Sequence, residues 1–249
     1  MGRYPMEGVV PLAASLDVLG PMARDVDGIR ALDAIMHGGI TENAELENAQ
    51  VRLVLPKLDG FGVSPEVMEM FERCADGLSA SGIHVDRRDI SALMNTHQLF
   101  SEHGTLVSTE AREQICKLAD LSNPEIDPQI RARLEYAMPM TLGEVAYLRK
   151  LRSVLQAEMA AQLKGELLLM PTVPDLPPLV ETVAHDTAAF QKANAVSLRL
   201  TMMTAFLNMP SLALPVDRAK PSHSVSVCGV ALQDEAVLAA GKRIESALR

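Results

Sequence analysis

The chain has 249 residues, is 48% hydrophobic and carries a net charge of −9; it can bury a substantial core, and it offers no basic surface to nucleic acid or an anionic membrane. Aromatic residues make up only 3% with no Trp, which also removes base-stacking platforms. Three widely separated cysteines (Cys74, Cys116, Cys228), no visible signal peptide and no apolar run near the roughly 18–20 residues of a membrane span point to a reducing, cytoplasmic location without disulfides or zinc.

In chain order, Gly20-Pro21 ends an irregular, mostly apolar opening segment and is expected to start a helix, since proline fixes φ at a position whose N–H has no partner anyway. Val26, Ile29, Leu32, Ile35 and Met36 recur at helical spacing as its buried face, and Gly38-Gly39 stops it. A polar connection over 40–50 leads to a β-rich run, Val51 to Leu55, ended by Pro56. Ser64-Pro65-Glu66 then opens a helix with a cap, a first-turn proline and an acid. Its buried face is Val67, Met68, Phe71, Cys74, Ala75 and Leu78, and Gly82 closes it before the alternating strand Ile83 to Val85. The unit from 51 to 86 is thus β-α-β with a parallel crossover.

Residues 91–138 are rich in helix but broken by Gly104, Asn123-Pro124 and Asp127-Pro128, which reads as an inserted helical layer at about 91–140. Thr141-x-x-Glu144 is a capping box, and Val145, Leu148, Leu151, Leu155, Met159 and Leu163 mark one face of a long helix ending at Gly165. An apolar strand, Leu167 to Met170, follows at once. Four prolines in Pro171 to Pro178 then dictate an extended loop, expected to leave the sheet edge. Asp186 caps a helix to about Phe206, and Ser211 to Pro215 reads as a strand. A further strand from Val225 to Leu232 and a helix from Asp234 complete the chain.

Three stretches carry a resemblance to the amidase signature family. The first joins Gly2-Arg3-Tyr4-Pro5, Gly8-Val9-Val10-Pro11 and Ser15-x-Asp17-x-x-Gly20-Pro21-x-Ala23-Arg24-x-Val26. The second is the strand followed by Pro171-Thr172-x-Pro174, and the third is Arg199, Thr201, Pro210 and Pro215. Three positions depart from the family's pattern: Gly28 and Ala205 stand where Asp and Asn are usual, and Asn208 where Gly is usual. The last change is mild, because Asn tolerates the left-handed region.

The resemblance implies an α/β fold, a mixed β-sheet flanked by helices, as a single domain over 1–249. In that family the first stretch directly follows the Gly/Ser-rich signature, which holds the serine nucleophile and a cis serine, with a catalytic lysine further upstream. Met1 stands where that half would join. The resemblance therefore implies the C-terminal part of a hydrolase of carboxamide C–N bonds, without its triad and inactive alone, and with no catalytic residue, metal or cofactor of its own. Thr201, Met202 and Thr204 are the expected substrate-binding residues, because the matching helix runs beside the family's acyl channel. The expected partners are a small-molecule amide, once an N-terminal half completes the pocket, and a complementary chain or a second copy; nucleic acid and membrane are not expected.

Read without the resemblance, amide hydrolysis needs a competent nucleophile, a proton shuttle and oxyanion donors. No Gly-Gly-Ser-Ser-Gly-like run, Ser-x-x-Lys or Gly-x-Ser-x-Gly occurs. Gly77-Leu78-Ser79-Ala80-Ser81-Gly82 is a helix stop rather than a nucleophile elbow, which needs strand, turn, then helix. His84, His97 and His103 match no compact zinc spacing and read as separate histidines, and His223 as a turn residue. Cys116, beside Ile115 and Leu118, is expected to be a buried thiol, and Asp17 with Arg24 a pair bracing the opening segment. Two other functions remain open from the residues: a non-catalytic binding or assembly protein on this scaffold, and a hydrolase or esterase with a rebuilt serine site.

Overall fold

The computed structural model describes residues 2–39, 45–46, 49–136, 140–217, 219–220 and 222–248. Its elements, in chain order, are α1 (Val26–His37), β1 (Arg52–Pro56), α2 (Pro65–Ala80), β2 (His84–Arg88), α3 (Ser91–His103), α4 (Leu106–Leu118) and α5 (Pro128–Tyr136). There follow α6 (Leu142–Leu163), β3 (Leu167–Pro171), α7 (Val180–Val183), α8 (Thr187–Phe206), β4 (Ser211–Pro215), β5 (Ser224–Cys228) and α9 (Asp234–Ala247).

Five strands form one mixed sheet in the order β2-β1-β3-β5-β4. β1 pairs in parallel with both β2 and β3, whereas β5 runs antiparallel to β3 and β4. The expected crossover is present: α2 joins β1 to β2 and buries Val67, Met70, Phe71, Cys74, Ala75 and Leu78. Every residue of β3 is buried, which is what an apolar run at the centre of a covered sheet requires. The long helix α6 starts at its capping box, with Thr141 Oγ1 accepting from Glu144 N at 3.2 Å and Glu144 Oε2 accepting from Thr141 N at 2.7 Å. α9 contacts α2 and lays Val237, Ala240 and Ile244 into the core beside β4.

Several expectations are corrected. Helix α1 begins at Val26, not at Pro21, because Asp25 takes the cap and accepts from Gly28 N at 2.8 Å. Its inner face is also turned: Ile35 is 77% exposed while Asp33 is 5% exposed, since Arg3 and Tyr4 hold that carboxylate inward. The proline-rich loop leaves the middle strand of the sheet rather than its edge, and it is followed by α7, a single turn the prolines did not announce. β5 stops at Cys228 rather than running to Leu232, which sits at φ 71. Cys116 is exposed, because α4 buries only its first two turns and its last turn passes beyond the core. Ser64 precedes α2 without capping it through its side chain; its backbone N–H instead donates to Pro174 O at 2.8 Å, tying α2 to the proline loop. Most of the polar connection over 40–50 lies outside the described residues.

Candidate functional site

A cleft of about 360 Å³ opens between the opening segment, the end of α8 and the start of α9. One wall is Leu16 to Pro21, and the facing wall is Thr201, Thr204, Ala205 and Asn208. Met170 and Ser226, paired between the neighbouring strands β3 and β5, form its floor, and Ser226 Oγ donates to Thr172 Oγ1 at 3.0 Å.

The opening segment has no helix or strand of its own before α1, so side chains from elsewhere fix it in place. Near one end, Arg3 donates from Nε and Nη2 to the two oxygens of Asp33, both at 2.6 Å, and Tyr4 Oη donates to Asp33 Oδ1 at 2.6 Å. Burial works against the Asp33 charge, but the hydrogen bonds from Arg3 and Tyr4 outweigh it and hold the carboxyl below its usual range. The bond to Asp33 holds the Arg3 guanidinium above its ordinary value. Burial, with Asp33 beside it, pushes the Tyr4 phenol up to about 12.

At the other end the anchor is Ser15. Glu110, a buried carboxylate on α4, accepts from the Ser15 N–H at 2.9 Å and from its hydroxyl at 2.6 Å. Arg152 on α6 donates from Nη1 to Ser15 O at 2.9 Å. The expected Asp17–Arg24 pair is replaced by a local turn, in which Asp17 accepts from Leu12 N at 2.8 Å and Ala13 N at 2.9 Å. Asp17 still braces the opening segment, but through its backbone.

Of the expected substrate-binding residues, Thr201 and Thr204 line the cleft and Met202 does not. The two hydroxyls donate back to helix carbonyls, Thr201 Oγ1 to Leu198 O at 3.2 Å and Thr204 Oγ1 to Thr201 O at 3.0 Å. That leaves their lone pairs for a donor in the cleft, such as an amide N–H. Asn208, in the left-handed region at φ 56, lines the cleft as well, as do Ser211 and Asp33. Only the Asn after a helix carried a signal that local reasoning reads; the others are brought in by partners far along the chain.

The histidines do not gather. His84 Nε2 lies 3.3 Å from Arg52 Nη2, His97 tilts on Phe61 at 5.4 Å between ring centroids, and His103 meets the Tyr147 ring edge at 5.4 Å. His223 belongs to the turn before β5, where its carbonyl accepts from Val216 N at 2.8 Å, and its ring is buried with Nε2 3.5 Å from Glu66 Oε1. Gly77 to Gly82 is a helix end, as read from the sequence. A second hollow of about 430 Å³ lies outside the carboxyl end of β1, but its charged lining closes on itself through Arg87 and Glu72, 2.6 Å apart. Among the described residues, no helix is long and apolar enough to cross a membrane, and no group of three or more His, Cys, Asp or Glu is placed to hold a metal ion.

Comparison with known proteins places this chain in a family. The sequence is 26% identical over 262 residues to 2-amino-5-chloromuconic acid deaminase of Comamonas testosteroni, an alignment covering 97% of this chain and 55% of that protein. It is 26% identical over 157 residues to mandelamide hydrolase of Pseudomonas putida, covering 58% of this chain and 30% of that one. The fold superposes on a crystal structure of an amidase with a TM-score of 0.82 at 26% identity, covering 98% of this chain and 56% of the other. The chain thus spans about half the length of the first of these relatives and of the solved amidase, and less of the second. The sequence profile of the amidase family matches residues 1–238, and the chain belongs to that family.

Proposed function

We propose that this chain is the C-terminal region of an amidase-family hydrolase acting on carboxamide C–N bonds, folded as a single domain with a helical insertion at about 91–140. It furnishes pocket walls through Thr201 and Thr204, without Met202, which does not line the cleft, and it is inactive alone. The observation that carries the reading is the cleft itself. Its walls are the first and third of the stretches that resemble the family, yet its Thr201, Thr204, Ser211 and Ser226 hydroxyls all donate to oxygens of the chain itself. Among the described residues no serine hydroxyl is hydrogen-bonded to a lysine or histidine side chain, the pairing that an activated nucleophile uses. On this reading a complementary amidase half, or a second copy of the chain, completes the pocket for a small-molecule amide in the cytoplasm, without a cofactor.

The test is reaction of the folded, purified chain with a serine-directed fluorophosphonate, followed by peptide mapping. No label is expected on the chain alone, and amide turnover is expected only after an amidase N-terminal half is supplied. A labelled serine within these 249 residues overturns the reading.

A further inference from the structure

The two walls of the cleft come from opposite ends of the sequence, and one side chain touches the backbone behind both. Arg152, half-buried on α6, donates from Nε to Phe206 O at 2.7 Å and from Nη1 to Ser15 O at 2.9 Å. Phe206 sits between Ala205 and Asn208 of the α8 wall, and Ser15 directly precedes Leu16 of the opening wall. The guanidinium also lies 5.8 Å from the centroid of the Phe206 ring, and that ring is fixed edge-on by Phe100 at 5.2 Å. Glu110 completes the arrangement by taking both the N–H and the hydroxyl of Ser15.

We propose that Arg152 is a cross-brace that sets the distance between the two walls of the cleft, with Glu110 locking the opening wall onto it, so that Arg152 is a positioning residue for whatever small uncharged group the cleft receives. The inference rests on the reading of the cleft as a pocket wall only for its last clause. The physical basis is the guanidinium's planar fork, whose separate nitrogens bond two carbonyls at fixed spacing, whereas a lysine's three donors share one nitrogen and have no fixed fork. Hydrogen bonds from a charged donor are also the stronger kind. The opening wall has no ladder or helix of its own, so such contacts add to the burial of Ala13 and the packing of Leu16 in holding it in place.

Hydrogen exchange of the full chain, read by mass spectrometry, tests this on Arg152→Met, Arg152→Lys and Glu110→Gln. With Arg152→Met, exchange is expected to rise about tenfold in both 12–20 and 204–209, the size that losing a charge-assisted bond implies, while β1 and β3 keep their protection. Arg152→Lys restores one wall and leaves the other loose. Glu110→Gln, the variant to rely on if Arg152→Met does not fold, loosens 12–20 alone. Unchanged exchange at either wall in Arg152→Met, or an equal rise in both walls with Glu110→Gln, overturns the brace. Benzamide added to the unaltered chain together with an amidase N-terminal half is expected to protect 12–20 and 204–209 together. Absence of that protection removes the pocket reading, and with it the positioning clause, while the brace itself is decided by the variants.

Discussion

Arg3 and Asp33 meet through two parallel N–H···O bonds of 2.6 Å, joining the first residues of the opening segment to a carboxylate on the inner side of α1. The side chains are 16% and 7% exposed, so removing one leaves the other charge poorly solvated. Breaking a buried pair on one side typically costs about 3 kcal/mol or more. Asp33→Asn, which keeps the shape and deletes the charge, is expected to lower the thermal midpoint by roughly 6–12 °C for a chain of this size. A change within about 2 °C, the equivalent of under about 1 kcal/mol, shows that the pair is not needed.

Burial first, and then the same carboxylate, raise the pKa of the Tyr4 phenol. Because its folded pKa is raised from 10.0 to about 12, the phenol's proton is held more tightly in the folded chain than in the unfolded one. That contribution is fully present below pH 10 and is lost as pH rises through 12. Alkaline denaturation of Tyr4→Phe is therefore expected to show a shallower loss of stability across this window than the unaltered chain. Parallel curves over the window count against the Tyr4–Asp33 hydrogen bond.

Where local rules decide the structure, the sequence was enough. Ser64-Pro65-Glu66, the period of Val67 to Leu78 and the alternation after Gly82 led directly to β1, α2 and β2. The capping box placed the start of α6 at the right residue. What stayed hidden depends on partners far apart in the chain. Asp33 reads as a solvent residue until Arg3, thirty positions upstream, is seen beside it. Ser15, Glu110 and Arg152 are separated by 95 and 137 positions and share no pattern. Cys116 was misplaced because Ile115 and Leu118 suggested an apolar face, whereas the end of α4 has no core to face and Leu118 is 67% exposed. Within the cleft, Thr201 and Thr204 were reached through the family resemblance, and Met202, beside them in sequence, points elsewhere.

Gly241, in the middle of α9, offers a test of packing against propensity. Replacing a helical glycine by alanine should add roughly 1 kcal/mol through backbone entropy alone. Here the new Cβ would overlap Leu212 Cδ2 from β4, and overpacking of that kind costs roughly 1–3 kcal/mol. Gly241→Ala is expected to destabilise in the native background and to stabilise by up to about 1 kcal/mol in a Leu212→Val background, where the obstructing methyl is withdrawn. The sign reversal, measured by urea denaturation, is the diagnostic; the same sign in both backgrounds shows that Leu212 is not the obstacle.

His97 brings an acid-side dependence of the opposite kind. Its ring packs on Phe61, whose carbonyl accepts from Arg199 Nη1 at 2.6 Å, so burial first, and then the nearby guanidinium, lower its pKa from 6.5. The unfolded chain therefore takes up the proton before the folded one does. Stability is expected to be whole above pH 6.5 and to decline as pH falls from there toward the lower folded value, because protonation favours the unfolded state throughout that interval. His97→Gln removes the titrating group while keeping a polar side chain, and its stability is expected to stay flatter from pH 6.5 down to pH 5. If denaturant midpoints of both proteins fall in parallel over that range, the acid sensitivity belongs to other groups and His97 is neutral in its effect.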